Sequence, residues 1–309
     1  MSIVSDVGAE VALADGRQQL VVAETGAALQ SWKVGGHELI DGPRPGETGE
    51  AFRGKVLAPW PNRLRDGRYV FAGTEHHTTL TEPERGTALH GFTTGIRWRA
   101  NRSSTRHLTL SCELRSEPGY PFALRLTVKY ELNDDGVTAT LRATNIGTTA
   151  APFGTGLHPY LTHGDGRIDD LLLEVGARTW LPVDERLLPA GAATPVQGTD
   201  VDFRRARRIG SQALDTCFGD LERGPDGLAR VTLAGADGRR RITVWMDERF
   251  RFVQLYTGDD LPDPARRRCG VAIEPMTCAP DALNSGDGLL VLEPGASFTG
   301  RCGLTADGF

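Results

Sequence analysis

Apolar residues occupy alternate positions over long stretches of this chain. From Leu108 they fall at Leu108, Leu110, Cys112 and Leu114. After the turn Glu117-Pro118-Gly119 the alternation resumes at Phe122, Leu124, Leu126, Val128, Tyr130 and Leu132. Asn133-Asp134-Asp135-Gly136 breaks it, and Val137, Ala139, Leu141 and Ala143 take it up again. Successive strand side chains point to opposite faces, so each run has one buried and one wetter face. Three such runs joined by short turns predict an antiparallel meander. Val231 and Leu233 lead through Ala236-Asp237-Gly238 to Ile242, Val244 and Met246, a hairpin signal. Phe252 to Tyr256 and Gly270 to Ile273 read as buried strands, and Leu20 to Ala23 and Leu29 to Val34 as early strands. Phe298, Gly300, Cys302 and Leu304 read as a closing strand. Only Arg204 to Leu214 has helical character, and Gly210 weakens it. Strands do not alternate with helices, which argues against a parallel α/β sheet. The pattern predicts an all-β fold, one large antiparallel β-sandwich over residues 1–309, without linker or repeat.

Length and composition agree with that reading. Area scaling gives about 12,600 Å² accessible when folded against about 48,000 Å² unfolded, so no disulfide or metal staple is needed. The 38 Gly and 18 Pro suit many turns, and Gly42 to Gly49 reads as a surface loop. A net charge of -5 lacks the basic footprint of a nucleic-acid binder. No apolar run approaches the roughly 20 residues of a membrane span. Met1 to Leu13 has neither the basic nor the apolar part of a secretion signal, so a cytoplasmic site is expected. Cys112, Cys217, Cys269, Cys278 and Cys302 are odd in number and include no C-x-x-C pair, which predicts free thiols. The basic runs Arg239-Arg240-Arg241 and Arg266-Arg267-Arg268 are expected on the solvated surface.

Polar residues stand in unusual surroundings at five places. These are Ala58-Pro59-Trp60-Pro61-Asn62-Arg63, Leu89-His90-Gly91-Phe92, Phe153 to Tyr160 with His158, Leu214-Asp215-Thr216-Cys217-Phe218, and Val271-Ala272-Ile273-Glu274-Pro275. Taken singly, each has an ordinary structural explanation: a satisfied core histidine, a turn aspartate, a strand-end glutamate paired with an arginine. Gly154-x-Gly156 lacks the lysine and spacing of a phosphate loop. His158 and His163 are poorly spaced for a shared metal, so no metal site is expected. Spacing alone does not settle a site.

The set as a whole is more specific. Asn62-Arg63, His90-Gly91, His158-x-Tyr160, Asp215, Gln254-x-Tyr256-Thr257-Gly258 and Glu274 stand in one order along the chain. So do Asp66-Gly67-Arg68-Tyr69, Trp180-Leu181-Pro182-Val183-Asp184 and Glu293-Pro294-Gly295. In this order the chain resembles the aldose 1-epimerase (galactose mutarotase) family over roughly residues 15–305. The resemblance implies a β-supersandwich with a sugar in an open cleft, in accord with the period-two pattern. It departs from the best-known galactose mutarotases after Glu274, where Pro275-Met276-Thr277-Cys278 follows, and at Pro159.

The resemblance implies Glu274 as base and His158 as acid in ring opening. Asn62, Arg63, His90, Asp215 and Gln254 would hold hydroxyls, His90 would also help polarise the ring oxygen, and Tyr160 and Trp60 would wall the cleft. Anomer exchange moves no hydride and no electron, so no cofactor is expected. The expected partner is a small sugar, with neither nucleic acid nor membrane, for a monomer or homodimer. A carboxylate beside the imidazole would favour its charged form, which implies an alkaline limb from His158 above the free-histidine value and an acidic limb from Glu274. Three rival activities make different demands on the chain. A sugar-phosphate epimerase would need an added cationic cluster, a non-catalytic sugar-binding protein would dispense with the acid–base pair, and a glycosidase would want two carboxylates across the bond.

Overall fold

The three runs of strict alternation form the strands His107–Glu117, Tyr120–Asn133 and Gly136–Asn145, all antiparallel. In the computed structural model, which describes residues 9–43, 50–164 and 166–309, they lie side by side in a nine-stranded sheet. Its order is Arg99–Arg102, the meander, Ser297–Asp307, Arg241–Met246, Ala229–Ala234, Leu172–Val175 and Arg207–Arg208. The closing strand thus inserts between the meander and the Ala229–Met246 hairpin. Register explains the alternation: Leu110 stands opposite Val128, and Val128 opposite Leu141, so one face carries a row of buried side chains.

A second sheet of eight strands holds Ala177–Leu181, Asp215–Leu221, Phe252–Tyr256 and Val271–Met276 side by side. Every residue of Val271–Met276 is buried, as the unbroken apolar run Val271-Ala272-Ile273 suggests. A third sheet, Glu10–Asp15, Gln18–Ala23, Leu29–Val34 and His37–Glu38, lies at the N-terminal end. Buried side chains from Leu13 to Leu304 make one continuous core through all three. Among the described residues the only α-helix is Ala282–Ser285, and none is long and apolar enough to cross a membrane. All five cysteines are unpaired.

Three expectations need correction. Arg204 to Leu214 is not helical: it runs in turns with the two-residue strand Arg207–Arg208. Its buried anchors Phe203, Ile209 and Leu214 are too widely spaced for one helix face, and the Arg207 guanidinium covers the Phe203 ring at 3.7 Å. Arg239, Arg240 and Arg241 are exposed as expected, but Arg266 and Arg268 are buried. Arg266 meets Asp41 at 2.8 Å, and Arg268 meets Asp169 and Asp259, each at 2.6 Å. Asp41 and Asp169 are remote in sequence, so a run of three arginines reads as surface while two of them fold inward. Trp60 is core, edge-on to Phe92 at 5.1 Å, and does not wall the cleft. Of the Gly42 to Gly49 loop, residues 44–49 lie outside the described residues, as do residues 1–8 of the stretch read for a secretion signal.

Candidate active site

Strand register brings the site together. Cys217 stands opposite Gln254, and Gln254 opposite Glu274, giving one row of side chains across the second sheet. Two residues along, on the same face, Asp215 stands opposite Tyr256, Tyr256 opposite Ala272, and Ala272 opposite Tyr160. Over the small Ala272 the two tyrosine rings meet edge-on, with centroids 6.3 Å apart. His158 arrives by a different device. Gly156–Leu157 and Tyr160–Leu161 both pair antiparallel with Val271–Met276, Gly156 against Met276 and Tyr160 against Ala272. The residue midway along one segment therefore faces the residue midway along the other, which sets His158 against Glu274.

Asn62 and His90 come from the far wall. Arg63–Arg65 pairs with Thr87–Leu89, and the two residues just outside this ladder clamp each other. The His90 amide donates to the Asn62 carbonyl at 3.0 Å, and the Asn62 amide donates to His90 Nδ1 at 3.0 Å. Both take left-handed backbone, with φ of 60° at Asn62 and 63° at His90, a conformation costing about 1 kcal/mol or more for a residue with a Cβ. Gly91 makes the approach possible: a Cβ there would lie 2.2 Å from the Ala58 carbonyl oxygen.

The resulting cleft holds about 470 Å³ and is lined by Asn62, Arg63, His90, His158, Tyr160, Asp215 and Glu274 among others. Gln254 is not among the lining residues but stands behind Asp215, to whose Oδ1 its amide donates. His158 Nε2 and Glu274 Oε1 are 3.4 Å apart, and the two residues are 4% and 2% exposed. Around the cleft four buried polar atoms, His158 Nδ1, Tyr160 OH, Gln254 Oε1 and Glu274 Oε2, make no hydrogen bond among the described residues. Buried polar groups are normally satisfied, so a cluster of open ones suits a polyhydroxylated ligand. Arg63 grips Glu82 with two nitrogens, at 2.9 and 3.2 Å, and reaches Asp215 at 3.4 Å.

Electrostatics follow burial. Burial lowers His158 to about 3, and the Arg53 and Lys55 cations push the same way. Burial raises Glu274 well above the usual carboxyl value, with Asp215 adding to the rise and Arg63 opposing it. The expectation of an imidazolium held up by its carboxylate is thereby reversed, because desolvation of both charges outweighs their attraction. Both shifts favour the uncharged forms at rest, a neutral carboxyl beside a neutral imidazole. The pair's one proton is the same proton an ion pair would hold, only on the other partner. His90 is held well below its ordinary value by burial, then by His158 and Arg63. Its Nδ1 accepts from Asn62, so Nε2 carries the ring proton and faces outward as a fixed donor.

That tautomer bears on metals. Ligand atoms of His90, His158 and Glu274 lie within 4.8 Å of one another, a spacing an ion can span. The only free nitrogen of His90 bears hydrogen, which suits an oxygen acceptor and not a cation. His163 lies outside the cleft, with Nε2 at 3.2 Å from the Leu233 carbonyl.

Several cleft residues escaped the sequence reading. Glu82 holds Arg63 and accepts from Thr87 Oγ1, yet sits in a turn with no periodicity. Phe52 meets the His90 ring edge-on at 4.7 Å, from a turn in which Ala51 and Phe52 both have positive φ. Arg85 and Asp260 line the rim. Tyr256 also lines the cleft and belongs to the Gln254-x-Tyr256 signal.

Residues 10–305 match the family model described as aldose 1-epimerase. The uncharacterized protein YihR of Escherichia coli K12 is 34% identical over 289 residues, 93% of this chain and 90% of that one. An aldose 1-epimerase of the same strain is 31% identical over 219 residues, 67% of this chain and 61% of that enzyme. The chain spans about half the length of the Mus musculus galactose mutarotase, at 30% identity over 173 residues, 54% of this chain and 49% of that one. A solved GalM/aldose epimerase homologue from C. elegans has the same fold, with a TM-score of 0.86 at 19% identity over 97% of this chain and 98% of that one.

Proposed function

This chain belongs to the aldose 1-epimerase family, and on that premise we propose that it interconverts the α and β anomers of a free aldose, with Glu274 and His158 moving the protons. The observation that carries this reading is the buried 3.4 Å contact between His158 and Glu274 at the base of a polar cleft. Opening the ring breaks the C1–O5 bond, moves the O1 proton to a base and places a proton on O5. With the proton drawn to His158 by the sugar, Glu274 takes the O1 proton and His158 gives its own to O5. The pair is then left as neutral carboxyl and neutral imidazole, its resting form. After rotation about C1–C2 the two transfers reverse on the other face. No net proton is gained or lost, and each group serves as acid once and base once.

The other residues hold the sugar. His90 Nε2–H is positioned to donate to the ring oxygen or a neighbouring hydroxyl. Arg63, Asn62, Asp215, Gln254 and Tyr160 offer donors and acceptors of both kinds to hydroxyls. Glu82, Glu84, Asp215, Asp260 and Glu274 outnumber Arg63 and Arg85 in the lining, which favours an uncharged sugar over a phosphorylated one. D-Glucose and D-galactose are the first substrates to try. The protein should raise the rate at which freshly dissolved α-D-glucose or α-D-galactose reaches its equilibrium rotation, with EDTA present. Buffer rates across an aldose panel would refute the enzymatic reading. Acceleration confined to an aldose 6-phosphate would refute the uncharged substrate.

Burial of the pair also sets a pH profile. kcat/KM should follow a bell whose limbs belong to the coupled pair. The acid limb marks entry of a second proton and should lie well below the ordinary histidine value, since burial holds His158 down. The alkaline limb marks loss of the shared proton and should lie above the ordinary carboxyl value, since burial holds Glu274 up. An acid limb at the ordinary histidine value would show that desolvation does not control the pair.

A further inference from the structure

Arg53 does not line the cleft, yet it stands in contact with the site through one ring. Its guanidinium lies 4.2 Å from the centre of the Tyr160 ring. Tyr160 in turn stacks on the His158 imidazole, with centroids 5.2 Å apart and planes 16° from parallel. Arg53 is itself buried and held in place by Asp41, whose carbonyl and carboxylate both accept from Nη1, at 2.9 and 2.6 Å. The other carboxylate oxygen of Asp41 takes Arg266 at 2.8 Å, so Asp41 is shared between two guanidiniums and does not neutralise Arg53 alone. The backbone ties the same pieces together. Gly54 N–H donates to the His158 carbonyl at 2.8 Å, His158 N–H to the Lys55 carbonyl at 3.0 Å, and Asp41 N–H to the Tyr160 carbonyl at 2.9 Å.

A buried cation stacked on an aromatic ring is attracted by its face and fixes its plane. Here that plane is the one the imidazole lies against. We propose that Arg53 is a positioning residue for proton transfer: through the Tyr160 ring it sets the plane of the His158 imidazole against Glu274, and its charge keeps a second proton off the pair. The proposal rests on the acid–base reading of Glu274 and His158. The groups facing the imidazole are Glu274, His90 and Tyr160, with Lys55 on the segment that carries Arg53, and Asp215 and Arg63 act on Glu274. Lys55 is on the same side as a second cation, so removing Arg53 weakens the positive field without abolishing it.

The test is an NMR titration of the full-length protein with labelled histidines, run without sugar, together with polarimetric rates across pH. The His158 signal is identified by its loss in His158→Asn. In Arg53→Met the His158 titration and the acid limb of kcat/KM should both move to higher pH by about one unit. kcat should fall about tenfold, the order of loss expected from a small misplacement of a proton donor. Arg53→Lys keeps the charge without the flat stack. It should return the titration to its wild-type position while kcat stays low. Arg53→Gln serves in place of Arg53→Met if the latter does not fold. A folded variant without the cation, with wild-type kcat and an unmoved His158 titration, overturns the proposal. If wild-type protein itself gives only buffer rates, the functional reading fails instead, and the sugar-free titration still decides whether Arg53 acts on His158.

Discussion

Glu274→Gln should lower kcat by about 10³-fold, with His158→Asn close behind, within the ~10²–10⁴ expected for a lost general acid or base. Either change removes a transfer made only in the transition state, so kcat and kcat/KM should fall together while KM stays near wild type. The two changes act on one proton pool, so the double variant should lose little more than the worse single one. Stability separates catalysis from collapse. Glu274 binds its proton more tightly folded than unfolded, because burial raises its folded value. Its contribution to stability is therefore full below the ordinary carboxyl value and declines as pH rises through the folded one. Glutamine has no such decline, so at pH 8 the Tm of Glu274→Gln should equal or exceed that of wild type. Near-wild-type kcat in this variant would show that another carboxylate is the base.

Arg63→Ala should lower kcat/KM by about 10²-fold and destabilise the fold by about 3 kcal/mol, since removing one partner of a buried ion pair strands the other. Arg63 is the cation between two acids: Glu82, held by two nitrogens, and Asp215, held by one. Without it the two carboxylates repel and turn away from the sugar. Asp215 already sits above the ordinary carboxyl value through burial, with Arg63 among the groups pulling it down. Arg63→Lys keeps the charge but not the fork, and should recover stability more than kcat/KM. Unchanged KM in a folded Arg63→Ala would remove Arg63 from the sugar site. Urea denaturation and Michaelis kinetics at one pH make both measurements.

The sheets were legible in the sequence because period two is written in side chains that pack locally. Leu108 to Leu114, Phe122 to Leu132 and Val137 to Ala143 needed no partner to be recognised as strands. Asn62, Arg63, His90, His158, Asp215, Gln254 and Glu274 were found through their order along the chain, and the structure gathers them at one cleft. What could not be read was anything that depends on a distant partner. Glu82 and Phe52 lie in turns, and turn residues carry no period. The inward course of Arg266 and Arg268 depends on Asp41, Asp169 and Asp259, none of them adjacent. The charge state of His158 was misjudged because a sequence shows that a histidine and a glutamate exist, and not that both are nearly dry.

The pairing of Gly156–Leu157 and Tyr160–Leu161 with one and the same strand has a consequence for how this scaffold can diversify. The separation of His158 from Glu274 is a count of residues along a ladder, fixed at Gly156 against Met276 and at Tyr160 against Ala272. One residue inserted or deleted inside either segment throws the two groups out of step. The rim obeys no such count. Thr81, Glu84, Arg85, Leu261 and Pro262 sit on turns that can lengthen, shorten or change charge without disturbing the ladder. On the proposed function, changes of length at the rim would alter contacts to the sugar while leaving the His158–Glu274 register intact.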